Sequence, residues 1–364
     1  MRAKLIVENA GFFTTVQDMG RFGYQQFGVP VSGAMDKYAL QVANMLVGNS
    51  RGEAALEITL PGFAARFSKS CQIAVTGADL GAVLGERPLS PWQAVTVKEG
   101  ELLSFNTLKG GTRSYLAVAG GFALPEVMGS KSTYVRGRIG GLEGRQLQEG
   151  DELEIKGDPF YARPPLLDTP PAYKREYASE VTVRCVPGPQ DDFFLPAEVE
   201  KFFSFQYTVT QQSDRMGYRL DGPVVKHKQD YNIITEGLTL GAVQMIGEGK
   251  PIVMMADHQS AGGYTKIAHV INVDMHFLAQ MKPGDKVSFQ KIGVEEAQEL
   301  LRQQEEKLQQ LEEHFSAGVE AKAEAEGGAR GQEKEGLEKG KTRQLRLVVN
   351  GKEYTVQVEE VNDI

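Results

Sequence analysis

A weak internal repeat constrains this chain more than any other feature of its sequence. Arg21-Phe-Gly-Tyr-Gln-Gln-Phe-Gly28 is echoed by Arg215-Met-Gly-Tyr-Arg-Leu-Asp-Gly222. Ile73-Ala-Val-Thr-Gly-Ala-Asp79 loosely matches Ile252-Val-Met-Met-Ala-Asp257, and Lys98-Glu-Gly-Glu-Leu-Leu-Ser-Phe105 matches Lys282-Pro-Gly-Asp-Lys-Val-Ser-Phe289. The offsets drift but the order is kept, so a duplicated domain explains the matches better than coincidence does. Arg21 and Arg215 should then occupy equivalent places. Each copy should also be β-rich, because short apolar runs at 55–62, 71–77, 94–97, 102–105 and 114–121 alternate with glycine turns. That spacing suits a barrel or a sandwich, not a doubly wound sheet.

The proline cluster Pro159, Pro164, Pro165, Pro170 and Pro171 interrupts this pattern and marks a boundary. We expect a first copy over 1–160, a linker over 161–174 and a second copy over 175–292. Beyond it, Val294, Ala297, Leu301, Leu308, Leu311 and Phe315 follow steps of three and four, with Gln304 breaking the series. This predicts an amphipathic helix over 293–316 that docks on the body or on a partner. Residues 317–342 are mostly Ala, Gly, Glu and Lys and read as disordered. Residues 343–364 read as a hairpin around Asn350-Gly351.

Charge excludes one class of partner. Of the net −8, thirteen Glu against seven Lys plus Arg between Gly293 and Thr342 contribute −6, which leaves −2 for the rest. A nearly neutral body offers no nucleic-acid surface. No run reaches the ~20 apolar residues of a membrane span. The first residues are too short in apolar length for a signal peptide, so a cytoplasmic protein is expected. Cys71 and Cys185 sit among apolar residues and read as buried, reduced thiols.

Four stretches carry residue types suited to chemistry. The glycine-rich segment 14–36 holds Asp18, Arg21, Ser32 and Asp36, and opens a helix over 39–47 closed by Gly48. Such a loop either receives an anion at the helix start or is a turn only. The segment Met254–Ala268 places Asp257, His258 and Gln259 directly after an apolar strand, with Gly262, Gly263, Tyr264 and Lys266 following. Here Asp257 as proton acceptor and Lys266 as cation are expected to face one cleft lined by the two glycine amides, and are the catalytic candidates. The other reading is that Asp257 and His258 cap a turn. The loop 129–145, with Arg136, suits a phosphate or serves as a connector, and Arg215 beside Asp214 forms either an ion pair or a ligand contact. His227, His269, His276 and His314 lack metal-ligand spacing, so no metal is expected. Gly336-Leu-Glu-Lys-Gly-Lys-Thr342 is one residue short of a phosphate-binding loop.

Gly11-Phe-Phe-Thr-Thr-Val-Gln-Asp-Met-Gly-Arg-Phe-Gly-Tyr24, Gly28-Val-Pro-Val-Ser-Gly-Ala-Met-Asp36 and Ala43-Asn-Met-Leu-Val-Gly-Asn49 resemble the opening signature of a known family. It comprises the C component of 5-oxoprolinase, also called allophanate hydrolase subunit 2 or biotin-dependent carboxyltransferase. Gly262-Gly-Tyr264 with Lys266 also matches its pattern. The resemblance implies two tandem cyclophilin-like β-barrels in a mostly β fold. It implies an ATP-dependent hydrolase component that opens 5-oxo-L-proline to L-glutamate in a hetero-oligomer. Its partners would be a homologue of the kinase-inhibitor-like B component and a homologue of the lactam-utilisation A component, with ATP bound at a shared site. Two alternatives stay open: a carboxyltransferase component of a urea system, and a non-enzymatic antagonist of a kinase inhibitor. The terminal hairpin resembles the start of a biotin-carrier domain but stops before an Ala-Met-Lys-Met site, so no covalent biotin is expected.

Overall fold

The computed structural model describes residues 2–157, 168–228, 230–330, 342–349 and 352–359. Residues 1–316 form one compact unit and 317–364 a second. The fold is mostly β with a C-terminal helix, as the sequence led us to expect.

In the first half two antiparallel sheets enclose a core. One sheet runs in the order Glu152–Glu154, Lys4–Ala10, Phe63–Phe67, Leu102–Phe105, Ala82–Leu84, Arg87–Pro88. The other runs Phe13–Gln17, Ala55–Thr59, Gly110–Val118, Cys71–Asp79, Gln93–Val97. Alternation within strands supplies the core: Leu5, Val7, Phe63 and Phe67 from one sheet meet Ile58, Ile73, Val75 and Leu116 from the other. The outer face of the second sheet is also covered. There Ala74, Ala94 and Ala117 replace the large residues, and their small size lets helix α1 (Lys37–Leu46) settle against the strands. Asp36 caps α1, its Oδ1 accepting from the Ala39 amide at 2.9 Å, and the left-handed Gly48 follows its end.

The second half is a closed barrel. Its eight strands run Glu180–Pro187, Lys286–Lys291, Gln206–Val209, Gly217–Asp221, Pro251–Met254, Ala242–Met245, Ala261–Val270, Asn232–Gly237. Glu180–Pro187 pairs back onto Ala261–Val270, so all but Asn232–Gly237 join the ring. Helix α2 (Pro196–Ser204) plugs one side, with Phe202 stacked on Phe289 at 4.6 Å.

The repeat survives in part. Lys98 and Lys282 open the same turn, each amide donating to a carboxylate three residues on (Glu101, 2.9 Å; Asp285, 3.0 Å) before a glycine-assisted reversal at Gly100 and Gly284. Arg21 and Arg215 are not equivalent in backbone. Arg21 enters a loop with a 3-10 turn at Gln25–Phe27, whereas Arg215 abuts strand Gly217–Asp221.

Of the expected boundary, residues 161–167 lie outside those described, and a 3-10 turn at Pro171–Tyr173 follows. After the short helix α3 (Met275–Ala279), helix α4 spans Val294–Arg330, beyond the expected end at 316. Leu308, Leu311 and Phe315 are buried in the layer that holds α1. In the second unit Thr342–Val349 and Lys352–Glu359 pair antiparallel, while the Asn350-Gly351 turn lies outside the described residues. Both cysteines are free and buried, and burial pushes the Cys71 thiol up to about 12.

Candidate functional site

Three of the charged candidates, Asp36, Arg136 and Arg215, hold the two halves to each other. Arg215 donates through Nε and Nη2 to both oxygens of Asp257, at 2.9 and 3.0 Å, through Nη1 to Glu57 and through Nη2 to the Gly33 carbonyl. Burial alone would depress its pKa, but Asp257 and Glu57 outweigh that and raise it. Asp257 is therefore consumed by a bidentate pair and is not presented to solvent. Asp214, expected beside Arg215, instead pairs with the exposed Arg136 at 3.1 Å.

The phosphate-like loop binds an anion, but an internal one. Ser130 Oγ donates to Asp18 Oδ1 at 2.8 Å and the Lys131 amide to Oδ2 at 2.6 Å; Ser132 Oγ adds a third, short hydrogen bond. These hydroxyls and amides fit a carboxylate, and Asp18 supplies it. The start of α1 is likewise occupied. Asp36 caps it, and the other oxygen of Asp36 accepts from Tyr177 and Gln280. Arg21 is fully buried, its Nη2 on the Ser132 carbonyl, while its Nε and Nη1 have no hydrogen-bond partner among the described residues.

Lys266 and Asp257 do not share a cleft. Lys266 Nζ pairs with Glu236 beside a cavity of about 260 Å³. A separate cavity of about 650 Å³ takes Arg136, Gln259 and Tyr264. Gly262 packs against the Gln244 amide there, and a Cβ at Gly262 would lie 2.8 Å from that nitrogen. Gly263 follows in the same strand, Ala261–Val270.

The seam between the halves holds a third cavity, of about 550 Å³, lined by groups from both. From the first half come Ser32 and Lys37; from the second come His258, His269 and His276; α4 closes it with Gln304 and Leu308. Ser32 adopts a left-handed backbone (φ 55°), and its buried Oγ has no hydrogen bond. A non-glycine residue held this way stores strain, as do Leu60, Trp92, Met128, Arg138 and Glu143. The Lys37 ammonium has no carboxylate partner among the described residues and lies 5.2 Å from the Phe22 ring centroid. Burial lowers its pKa, against the pull of Asp18. His258 Nδ1 contacts the Gln259 carbonyl at 2.7 Å, which fixes the proton there and leaves Nε2 as a lone-pair acceptor; burial lowers its pKa.

Of the sequence candidates, Ser32 and His258 thus reach this cavity. Lys37 was missed, although a signal existed: a cation in the first turn of a helix opposes the macrodipole and calls for a reason.

The family described as carboxyltransferase domain, subdomain A and B, matches residues 27–291. The C component of 5-oxoprolinase from Escherichia coli is 39% identical over 310 residues, which cover 84% of this chain and 97% of that protein. The protein of the same name from Haemophilus influenzae is 36% identical, over 82% of this chain and 94% of its own. Among solved structures, the urea carboxylase of Kluyveromyces lactis superposes with a TM-score of 0.80 at 31% identity, over 86% of this chain but 29% of that one.

Proposed function

Because this chain belongs to the carboxyltransferase-domain family of subdomains A and B, we propose that it is the C component of an ATP-dependent 5-oxoprolinase, with its substrate site in the cavity at the seam. The observation that carries this reading is the Lys37 ammonium, unpaired and half-buried beside Ser32 and His258. A cation with no carboxylate in contact among the described residues is suited to the carboxylate of 5-oxoproline, or to the phosphate that would form on its lactam oxygen. His258 Nε2 is placed to take a proton, and Ser32 Oγ to donate to an oxygen as negative charge grows on it.

The residues present do not fit a whole triphosphate. Among those described the cavity offers one unpaired cation, and the amide at the start of α1 is already capped by Asp36. ATP is therefore assigned to a site completed by a partner protein, and no step on this chain is routed through it. Phe22, at the cavity wall and 63% exposed, supports a covering partner there. The kinase-inhibitor-like and lactam-utilisation homologues are the proposed partners.

A carboxyltransferase role on a urea-type substrate is the second reading, favoured by the structural likeness to urea carboxylase. One experiment separates them. The full chain is purified with its kinase-inhibitor-like and lactam-utilisation partner homologues, and glutamate release from 5-oxoproline is followed with ATP. We expect ATP-dependent turnover that falls at least about 100-fold in Lys37→Met, the scale of losing one electrostatic stabiliser, with an unchanged melt. Lys266→Ala should keep activity. Absence of turnover in the wild-type complex overturns the first reading.

A further inference from the structure

We propose that Gln304, on the helix that closes the cavity, reads the amide edge of the lactam and so selects the substrate; this rests on the reading above. Helix α4 begins at Val294, just after residues 27–291 matched by the family. In the apolar series of α4 Leu308 is buried while Leu301 is 45% exposed, and Gln304 falls between them on the same side. There the helix wall borders the cavity at the seam, and Leu301, Gln304, Glu305 and Leu308 all line it.

The placement is firm. Leu308, one turn on, is buried with Leu311 and Phe315 against the α1 layer. Arg51 pairs with Glu305 and, at 3.4 Å, with Glu312, which pins the helix along its length. Gln304 is half-buried, and no residue among those described hydrogen-bonds its amide. A leucine there would continue the stripe and bury apolar surface. A glutamine facing a cavity that already holds Lys37, Ser32 and His258 instead offers a carbonyl acceptor and an N–H donor side by side.

That pair has a chemical complement. A lactam is locked as a cis amide, so its N–H and C=O lie on one edge, and a primary carboxamide meets this edge with two parallel hydrogen bonds. An open secondary amide is trans and shows only one of the two groups on any edge. With Lys37 taking the carboxylate, the two contacts would orient the ring and leave the lactam carbon toward His258 and Ser32.

The test uses the full chain in complex with its partner homologues. L-Proline, which carries the same carboxylate on a ring without the amide edge, serves as competitive inhibitor. In Gln304→Leu we expect KM for 5-oxoproline to rise about 10- to 100-fold, the scale of one or two lost hydrogen bonds to a desolvated amide. We expect kcat to change little, the inhibition constant of proline to stay the same and the melt to hold or rise. Gln304→Glu, which accepts but does not donate when ionised, should also raise KM at neutral pH; because its added charge opposes any carboxylate, the proline constant is compared only in Gln304→Leu. An unchanged KM in both variants, with the wild type active, overturns the role of Gln304 and leaves the 5-oxoprolinase reading intact. A KM and a proline constant that rise together show a displaced helix wall and overturn it as well. A wild-type complex inactive on 5-oxoproline removes both.

Discussion

His258, His269 and His276 share one design at the seam: each Nδ1 contacts a backbone carbonyl, of Gln259, Val270 and Val273 respectively. Burial lowers the pKa of all three below the ordinary value of 6.5. The sign of the consequence follows from linkage. A group held neutral in the fold stabilises it fully above its unfolded pKa, and that stability is lost as pH falls below about 6.5 toward the lowered folded value. The melting temperature should therefore drop between pH 7.5 and pH 5.5, above the range where carboxylates titrate. His276→Gln, which removes a ring whose buried Nε2 has no partner, should flatten part of that slope. A melt independent of pH across this window would show that the rings are not held neutral. Residue types were readable in the sequence at this scale, but their partners were not. Asp18, Asp36, Arg215 and Asp257 have chemistry that suits a ligand, and the fold spends that chemistry internally. Arg215 finds Glu57 across 158 residues, a pairing that no local pattern encodes.

Elements were more legible, because periodicity is set by which face is buried. The steps of three and four in α4 foretold a docked helix, and Leu308, Leu311 and Phe315 are the residues buried. Its end was misplaced, since Ala, Glu and Lys propagate a helix as readily as they populate a polar linker, and α4 runs on to Arg330. Truncation separates the two parts. A chain ending at Ser316 keeps all three buried anchors and should melt with the full-length protein. A chain ending at Ile292 loses burial worth roughly 1.5–3 kcal/mol for each large side chain and exposes the α1 layer. It should melt several degrees lower. Equal melts for the two truncations would mean that α4 is not part of the folded body.

At the scale of the molecule, two β units meet through polar groups, with Met35 of the first half inserted into the core of the second. Arg113 donates to the Tyr218 hydroxyl at 2.9 Å and to the Ala279 carbonyl, and Gln280 accepts from the Thr112 and Arg113 amides at 3.0 and 2.9 Å while donating to Asp36. At the centre, Arg215 of the barrel reaches Glu57 and the Gly33 carbonyl of the first half while holding Asp257 of its own. Glu57 is fully buried, and it also accepts from the Met35 amide and the Tyr115 hydroxyl. A seam built this way is specific rather than adhesive. Each charge is satisfied only when the halves are in register, which keeps Ser32 and Lys37 opposite His258. Arg215→Met leaves Asp257 buried without its cation and Glu57 with only Arg113, 3.8 Å away, and breaking a buried pair in this way costs about 3–5 kcal/mol. Urea unfolding should show the wild type as a single transition and the variant with a midpoint lowered accordingly. The variant complex should also lose turnover, because misaligned halves separate the site groups. If Arg215→Met unfolds at the wild-type midpoint, the two cores hold each other by other contacts, and the polar seam does not set their register.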